Sequence, residues 1–145
     1  MKITYRQATQ DDYQFLYELK VASMRDYVDQ VYGWDDAFQE EFFEKDFRAD
    51  DLTIIQVDGR DLGMYELSKD KQGLFIKRIE IHPESQNKGI GSQVIQHILS
   101  ENESTSAWLM VFKINPAQKL YERLGFVKAD ETDTHFKMIR QNKAL

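Results

Sequence analysis

The apolar positions in the amino-terminal third of the chain change from a strand-like run to a helical period. Ile3 to Ala8 is typical of a short strand, and Thr9 with Asp12 three positions later predicts a capped helix start. A stripe of apolar residues then continues to Gly33, where we expect this helix to end: Phe15, Leu16, Leu19, Ala22, Val28 and Val31. A second helix is predicted over roughly Asp36 to Arg48, with its aromatic residues facing the core: Phe38, Phe42, Phe43 and Phe47.

From Leu52 onward the pattern predicts mainly strands, with two further helices. The segments LTIIQV and LGMYEL are joined by Asp58-Gly59, the dipeptide most typical of a tight hairpin, and a third strand, LFIKRIEIH, follows. The next helix has an apolar stripe made of Ile90, Val94, Ile95, Ile98 and Leu99. After the strand TSAWLMVF, Asn115-Pro116 predicts the cap and first turn of a last helix that ends at Gly125. FVKADETDTHFKMI predicts two final strands around a polar turn.

The order of these elements predicts the fold class. It runs strand, two helices, three strands, helix, strand, helix, two strands, for which a mixed sheet covered by helices is the economical packing. We therefore expect an α/β fold of the mixed-sheet, α+β kind. The 145 residues, 41% of them hydrophobic, are enough for one core, so a single domain over residues 1–145 is expected.

Composition argues against several functional classes. Nineteen basic against twenty-five acidic side chains give a net charge of −6, which opposes a nucleic-acid partner. The acidic balance mildly favours a cationic substrate, although solubility alone explains it equally well. The absence of cysteine removes disulfides, cysteine-ligated zinc and thiol nucleophiles, and the three histidines lack metal-ligand spacing, so no metal is expected. No leader-like or membrane-spanning apolar stretch is seen, so we expect a cytoplasmic protein without a membrane partner. A monomer or a homodimer is expected, and the sequence does not choose between them.

The segment ESQNKGIG, residues 84–91, lies between a predicted strand and a predicted helix. Gly89 and Gly91 allow the backbone to approach a ligand closely, and the first turn of a helix offers free N–H groups to an anion such as a phosphate. Lys88 stands before Gly89, which does not fit a P-loop, and Val94 stands where a dinucleotide-binding motif needs a third glycine. The two glycines alone are more typical of an ordinary strand-to-helix turn.

A wider stretch makes the prediction more specific. IEIHPESQNKGIGSQVIQHIL resembles the acetyl-CoA motif of the GNAT superfamily of N-acetyltransferases, with Gln86, Gly89 and Gly91 at its signature positions. NPAQKLYERLGF resembles the second cofactor motif of that family. The resemblance implies a central, mostly antiparallel sheet with helices on both faces, acetyl-CoA as cosubstrate, and transfer of its acetyl group to a primary amine of a small molecule, peptide or protein. A noncatalytic acyl-CoA sensor or interaction module of the same fold is the alternative.

The resemblance also implies a set of cofactor-binding residues. The backbone of the turn is expected to hold the pyrophosphate of coenzyme A, which involves Gln86, Asn87, Lys88, Gly89, Ile90, Gly91 and Ser92. The strand before the turn is expected to bind the pantetheine arm through its backbone around Ile79 and Ile81. Asn115 matches a cofactor-contacting asparagine of the second motif, although Asn before Pro is also an ordinary helix cap.

Two residues are predicted to be catalytic. Strand alternation places Arg78, Glu80 and His82 on one face, and related enzymes often use an acidic residue of this strand, so Glu80 is our candidate for the general base. A surface ion pair with Arg78 is the alternative. Tyr121 matches the tyrosine that many family members use to protonate the coenzyme A sulfur, and its spacing also fits the buried stripe of its helix.

The acceptor side is expected in the region MRDYVDQVYGWDD. Tyr27 and Trp34, interleaved with acidic residues, are predicted to line a pocket for a cationic amine. The alternative is a capped helix end with aromatic residues packed beneath it and acidic residues in solvent.

Overall fold

The computed structural model describes residues 1–103 and 105–141. Within this part the strands are β1 (Ile3–Gln7), β2 (Leu52–Val57), β3 (Arg60–Asp70), β4 (Gly73–Ile81), β5 (Ala107–Phe112), β6 (Val127–Glu131) and β7 (His135–Arg140). The helices are α1 (Tyr13–Tyr32), α2 (Asp36–Asp46), α3 (Ile90–Ser100) and α4 (Gln118–Arg123). The predicted order of strands and helices is confirmed.

The chain divides into two compact units. The first comprises Met1–Glu66 and Arg78–Gln86, and the second comprises Leu67–Lys77 and Asn87–Leu145 as far as it is described. Strands β3 and β4 each contribute residues to both units. The expected single domain over residues 1–145 stays a prediction.

The strands of the first unit lie in the order β1-β2-β3-β4. β1 pairs with β2 from Ile3↔Val57 to Gln7↔Thr53, and β2 pairs antiparallel with β3. Asp58 and Gly59 have φ angles of 51° and 82°, which are typical of a two-residue hairpin turn, so the predicted hairpin is confirmed. The register of β2 with β3 shifts by one residue between Ile55 and Gln56, which marks a β-bulge.

The predicted start and end of the first helix agree with the structure. Thr9 and Asp12 form a capping box around a short 3-10 turn, and α1 follows directly from Tyr13. The helix ends at Tyr32 with Gly33 as its cap, at a φ angle of 83°. α2 is capped by the carboxylate of Asp35 and ends at Asp46, two residues before the predicted end.

The aromatic residues of α2 and of its C-cap, Phe47, do not all face the core. Phe43 and Phe47 are 4% and 8% exposed, and both pack edge-on against Tyr13. Phe38 and Phe42 are 61% and 51% exposed, so the prediction that they are core residues is wrong. The reason is the helical period, because residues five apart point about 140° away from each other. One face of the helix therefore cannot bury both the pair Phe38 and Phe42 and the pair Phe43 and Phe47.

The second unit contains a mixed sheet in the order β3-β4-β5-β7-β6. β4 and β5 are parallel and pair at Leu74↔Ala107 and Phe75↔Trp108. β5 and β7 are antiparallel, and the antiparallel pairing of β6 with β7 shifts in register between Lys128 and Asp130. The predicted mixed, mostly antiparallel sheet is confirmed.

The helices of the second unit largely follow the sequence pattern. The buried residues of α3 are Ile90, Val94, Ile95 and Ile98, as predicted, whereas Leu99 is half-buried. α4 begins at Gln118 and not at Pro116. The side chain of Asn115 accepts a hydrogen bond from the N–H of Ala117 (2.9 Å), so it organises the turn that precedes the helix. Gly125, at a φ angle of 98°, follows the end of α4 as predicted.

We predict that Gly73→Ala destabilises the fold more than Gly59→Ala. A Cβ at either position is strained by a positive φ angle, but at Gly73 it would also overlap the backbone oxygen of Ser106, next to the parallel pairing of β4 with β5. Gly59 has no atom within 4 Å of the added Cβ, so its cost is about 1–2 kcal/mol. Urea unfolding should show that Gly73→Ala lowers the free energy of unfolding by about 2 kcal/mol more than Gly59→Ala does. Equal losses would contradict this packing.

Candidate active site

Glu80 lies near the carboxyl end of β4 in the first unit. Its side chain is 7% exposed, and it shares a strand face with Arg78 as the alternation predicts. His82 follows the end of the strand, and its Nδ1 accepts a hydrogen bond from the N–H of Glu84 (3.2 Å), so it caps the next 3-10 turn. The burial of Glu80 is not compatible with the alternative of a surface ion pair.

Arg78 has a different carboxylate partner. Its Nε and Nη2 both donate to Oε1 of Glu66, at 2.9 and 2.7 Å. The Glu66 side chain is 9% exposed, so this ion pair is largely shielded from solvent. This role of Glu66 could not be predicted from the sequence, because the partner of a charged residue on one strand depends on the register of the next strand.

Lys20 of α1 is a second cation close enough to influence Glu80. Its Nζ lies 5.2 Å from the ring centre of Phe42 and 5.7 Å from that of Phe43. Burial lowers the pKa of the Lys20 ammonium, while the negative charge of Glu80 opposes this shift. Sequence reasoning missed Lys20, although its position one turn after buried Leu16 is unusual for a lysine.

Burial raises the pKa of the Glu80 carboxyl to about 7. The positive charges of Arg78 and Lys20 oppose this shift, and the negative charge of Glu66 adds to it. A carboxyl group with this pKa exchanges a proton readily near neutral pH, which is the range required of a general base. The first unit therefore contains a buried carboxyl group that exchanges its proton near neutral pH.

The backbone around Glu80 is held closely by its neighbours. A Cβ at Gly63 of β3 would lie 2.6 Å from the backbone oxygen of Glu80, so only glycine fits there without a shift. The side-chain amide of Gln86 donates to the backbone oxygen of Ile81 (2.9 Å). This signature glutamine therefore ties the chain back to the end of β4. Ile79 and Ile81 themselves are half-buried.

The glycine turn continues into the second unit from Asn87. Asn87 and Gly89 have φ angles of 63° and 81°, and residues 87–89 are exposed, including Lys88. Gly89 is the N-cap of α3, and no side chain caps this helix. The first N–H groups of α3, including those of Ile90, Gly91 and Ser92, have no intrahelical acceptor and lie at the positive end of the helix dipole.

Gly89 is required for its backbone conformation. A Cβ at this position would meet no atom within 4 Å, so the surroundings do not exclude a side chain. Its left-handed conformation is the reason that glycine is favoured. The open space beside the helix start leaves room for a bound anion.

Tyr121 lies in α4 of the second unit. It is 8% exposed and packs edge-on against Phe126, with ring centres 6.0 Å apart. Burial raises the pKa of the Tyr121 hydroxyl to about 12, so the group keeps its proton at neutral pH. The ring thus belongs to the buried stripe, and its hydroxyl remains a proton donor.

The predicted acceptor residues belong to the first unit. Tyr27 lies on α1 and is half-buried. The backbone N–H of Trp34 donates to Asp29 (2.9 Å), and its indole N–H donates to Asp36 (2.7 Å). The guanidinium of Arg25 lies 5.9 Å from the Trp34 ring centre. These contacts organise the connection between α1 and α2.

The predicted site residues are thus distributed over the two units. The first unit contains Tyr27, Trp34, Ile79, Glu80, Ile81 and Gln86. The second contains Asn87, Lys88, Gly89, Ile90, Gly91, Ser92, Asn115 and Tyr121. Among the described residues, no group of three or more potential ligands is placed to hold a metal ion. No helix in that part of the chain is long and apolar enough to cross a membrane.

A family model described as an acetyltransferase (GNAT) domain matches residues 48–128, which is more than half of the chain. The chain belongs to the GNAT acetyltransferase family. The matched range includes Glu80, the glycine turn, Asn115 and Tyr121, and it excludes Tyr27 and Trp34. The GNAT resemblance of the two sequence motifs is therefore confirmed.

A curated protein is similar in sequence to half of this chain. The UPF0157 protein YqkA of Bacillus subtilis is 34% identical over 74 residues, which cover 50% of this chain. The chain spans about a fifth of the length of this curated relative, because the match covers 22% of it.

Solved structures show the same fold over nearly the whole chain. PaiA N-acetyltransferase from Thermoplasma acidophilum, in complex with coenzyme A, is 18% identical with a TM-score of 0.76, covering 97% of this chain and 99% of its own. The ribosomal-protein-S18-alanine N-acetyltransferase of Escherichia coli is 18% identical with a TM-score of 0.70, covering 99% of both chains. The predicted GNAT-like fold is confirmed.

We predict that Glu80 makes the stability of the protein depend on pH. The pKa of Glu80 is raised from 4.5 to about 7, so the folded protein binds this proton more tightly than the unfolded chain does. The free energy of unfolding should therefore fall as pH rises from about 4.5 through 7, by on the order of 3 kcal/mol from this group. Glu80→Gln should remove this fall, as measured by urea unfolding across that range.

The matched control is Glu84→Gln, since Glu84 is exposed in the next turn. This variant should keep the pH dependence of the original protein. A Glu80→Gln protein with an unchanged pH profile would contradict the burial of the carboxyl group.

Proposed function

We propose that this GNAT family member transfers the acetyl group of acetyl-CoA to a primary amine. The observation that carries the proposal is the start of α3. Two left-handed residues, Asn87 and Gly89, lead into a helix that no side chain caps, and the adjacent space is open. Such a helix start suits the pyrophosphate of coenzyme A.

The residues proposed to bind the cofactor belong to the turn, to the end of β4 and to the segment before α4. Backbone N–H groups of residues 87–92 hold the pyrophosphate, and Lys88 adds a positive charge from its exposed position. Gln86 acts by fixing the turn to Ile81, which its hydrogen bond to that carbonyl supports. The backbone of Ile79 and Ile81 binds the pantetheine arm, and Asn115 contributes from the turn before α4.

The net charges of the two units differ in sign, which suits two substrates of opposite charge. The second unit has eleven basic and seven acidic side chains, a net charge of +4, whereas the first has eight basic and eighteen acidic, a net charge of −10. An anionic cofactor is favoured by the basic unit, and a cationic amine by the acidic one. The charge of −6 for the whole chain conceals this contrast.

The proposed chemistry uses one proton acceptor and one proton donor. Glu80 accepts a proton from the bound amine, directly or through water, and its pKa of about 7 suits this role. The neutral amine nitrogen then attacks the thioester carbonyl, the carbon–sulfur bond breaks, and the nitrogen loses its second proton to water as the amide forms. Tyr121 supplies a proton to the departing thiolate, for which its protonated hydroxyl is available, and regains a proton from water. Tyr27 and Trp34 line the acceptor side in this proposal.

The experiment that tests the function is release of free thiol from acetyl-CoA, followed with a sulfhydryl dye. The amines to compare are small monoamines, polyamines, amino acids, peptide N-termini and lysine side chains. Thiol release with any of them supports acetyl transfer. Binding of acetyl-CoA without release across the whole panel would favour a noncatalytic acyl-CoA sensor.

We predict that Tyr121→Phe lowers kcat by about 100-fold, because it removes the proton donor and retains the buried ring. Acetyl-CoA affinity, measured by calorimetry, should change little. Tyr65→Phe is the matched control, since Tyr65 is also 8% exposed but lies in the first unit. Full turnover of Tyr121→Phe at saturating substrate would contradict the assignment.

We predict that Gly91→Trp abolishes acetyl-CoA binding while the protein stays folded. Gly91 lies in the first turn of α3, where a large side chain would cover the N–H groups proposed to hold the pyrophosphate. Gln96→Trp is the control, because Gln96 is exposed on the same helix away from its start. An unchanged calorimetric affinity of Gly91→Trp would count against the proposed site, and circular dichroism verifies the fold.

A further inference from the structure

We propose that the exposed aromatic face of α2, formed by Phe38 and Phe42, docks a lysine- or arginine-rich segment of a polypeptide acceptor. The inference rests on the proposed function, and it narrows the acceptor from any primary amine to an amine on a basic peptide or protein.

The two rings form one continuous apolar surface. Phe38 and Phe42 are 61% and 51% exposed, and their rings are stacked with centres 6.2 Å apart. Single exposed apolar side chains are common on proteins, but two adjacent phenylalanines on one helix turn expose a larger ring surface. Such rings bind apolar side chains and also attract cations to their faces. Phe42 already has the ammonium of Lys20 at 5.2 Å from its ring centre.

The charges around this surface select the partner. α2 exposes five carboxylates and one ammonium, those of Asp36, Glu40, Glu41, Glu44, Asp46 and Lys45. The segment from residue 26 to residue 51 has ten acidic and two basic side chains, a net charge of −8. A polyanion is repelled by this region, whereas a basic segment with apolar residues complements both its charge and its rings.

A second copy of the chain is a poorer partner for this surface. A two-fold contact through α2 would place two helices of the same negative charge against each other. Like charges brought together at an interface cost several kcal/mol. A basic polypeptide meets no such repulsion, so we assign the surface to it.

The surface is continuous with the proposed catalytic group within the first unit. Phe42 contacts Lys20, and the charges of Lys20 and Glu80 attract each other. A peptide held at Phe38 and Phe42 would therefore be bound beside Lys20, in the same unit as Glu80. Docking would raise the local concentration of a lysine or an N-terminal amine near the proton acceptor.

The direct test measures peptide binding without acetyl-CoA. The probe is a fluorescein-labelled twelve-residue peptide with six lysines or arginines and two leucines, and its counterpart carries glutamates in place of the basic residues. Fluorescence anisotropy should show binding of the basic peptide only. The Phe38→Ser/Phe42→Ser variant should raise its Kd at least tenfold, and added salt should weaken it.

The matched control is Val127→Ser, because Val127 is also 61% exposed but belongs to the second unit. It should leave the Kd unchanged. Two results would overturn the proposal: unchanged binding of the basic peptide to Phe38→Ser/Phe42→Ser, or sedimentation showing that these two residues hold a dimer together.

Kinetic measurements distinguish a failure of the docking proposal from a failure of the proposed acetyltransferase function. Thiol release is compared for the basic peptide and for butylamine with the original protein and with Phe38→Ser/Phe42→Ser. Docking is supported if Phe38→Ser/Phe42→Ser raises KM for the peptide but not for butylamine and leaves kcat unchanged. Equal acetylation of the peptide by both proteins overturns docking and leaves the acetyltransferase function intact. Peptide binding that depends on the two phenylalanines, without thiol release from any amine, overturns the proposed function and supports the docking surface.

Discussion

The parallel pairing of β4 with β5 is the constraint on which the proposed cofactor site depends. Two parallel strands cannot be joined by a hairpin, so the chain must cross over between them, and α3 provides that crossover. The crossover makes a helix begin soon after the carboxyl end of β4. The left-handed residues Asn87 and Gly89 produce the turn that this geometry needs. A helix start with no side-chain cap just after β4 thus follows from the strand topology together with the left-handed turn.

The first unit buries charged groups, an arrangement that costs free energy. Glu66 and Arg78 neutralise each other through two short hydrogen bonds, whereas Glu80 is buried with only more distant cations to favour its charge. This difference separates a structural carboxylate from one that exchanges its proton near pH 7. The protein gives up stability at Glu80, and the proposed chemistry is the reason for retaining the carboxyl group there.

The sequence was most informative where local geometry decides the structure. The capping box at Thr9, the hairpin at Asp58-Gly59 and the order of elements followed from residue types and periodicity. The exposure of Phe38 and Phe42 could not be predicted, since periodicity does not say which of two aromatic pairs the neighbouring helix covers. The partner of Arg78 and the approach of Lys20 to Glu80 depend on strand register and helix packing, which one sequence does not reveal. The acceptor residues Tyr27 and Trp34 lie outside the family match and remain predictions.

The strand β6 has a consequence for the behaviour of the protein at high concentration. It is the last strand in the sheet order of the second unit, and all five of its residues are exposed. An unpaired strand edge invites pairing with other chains and leads to aggregation. The register shift near Lys128, together with the charges of Asp130 and Glu131, disfavours such growth. β6 is therefore an edge strand that disfavours pairing with the strands of neighbouring molecules.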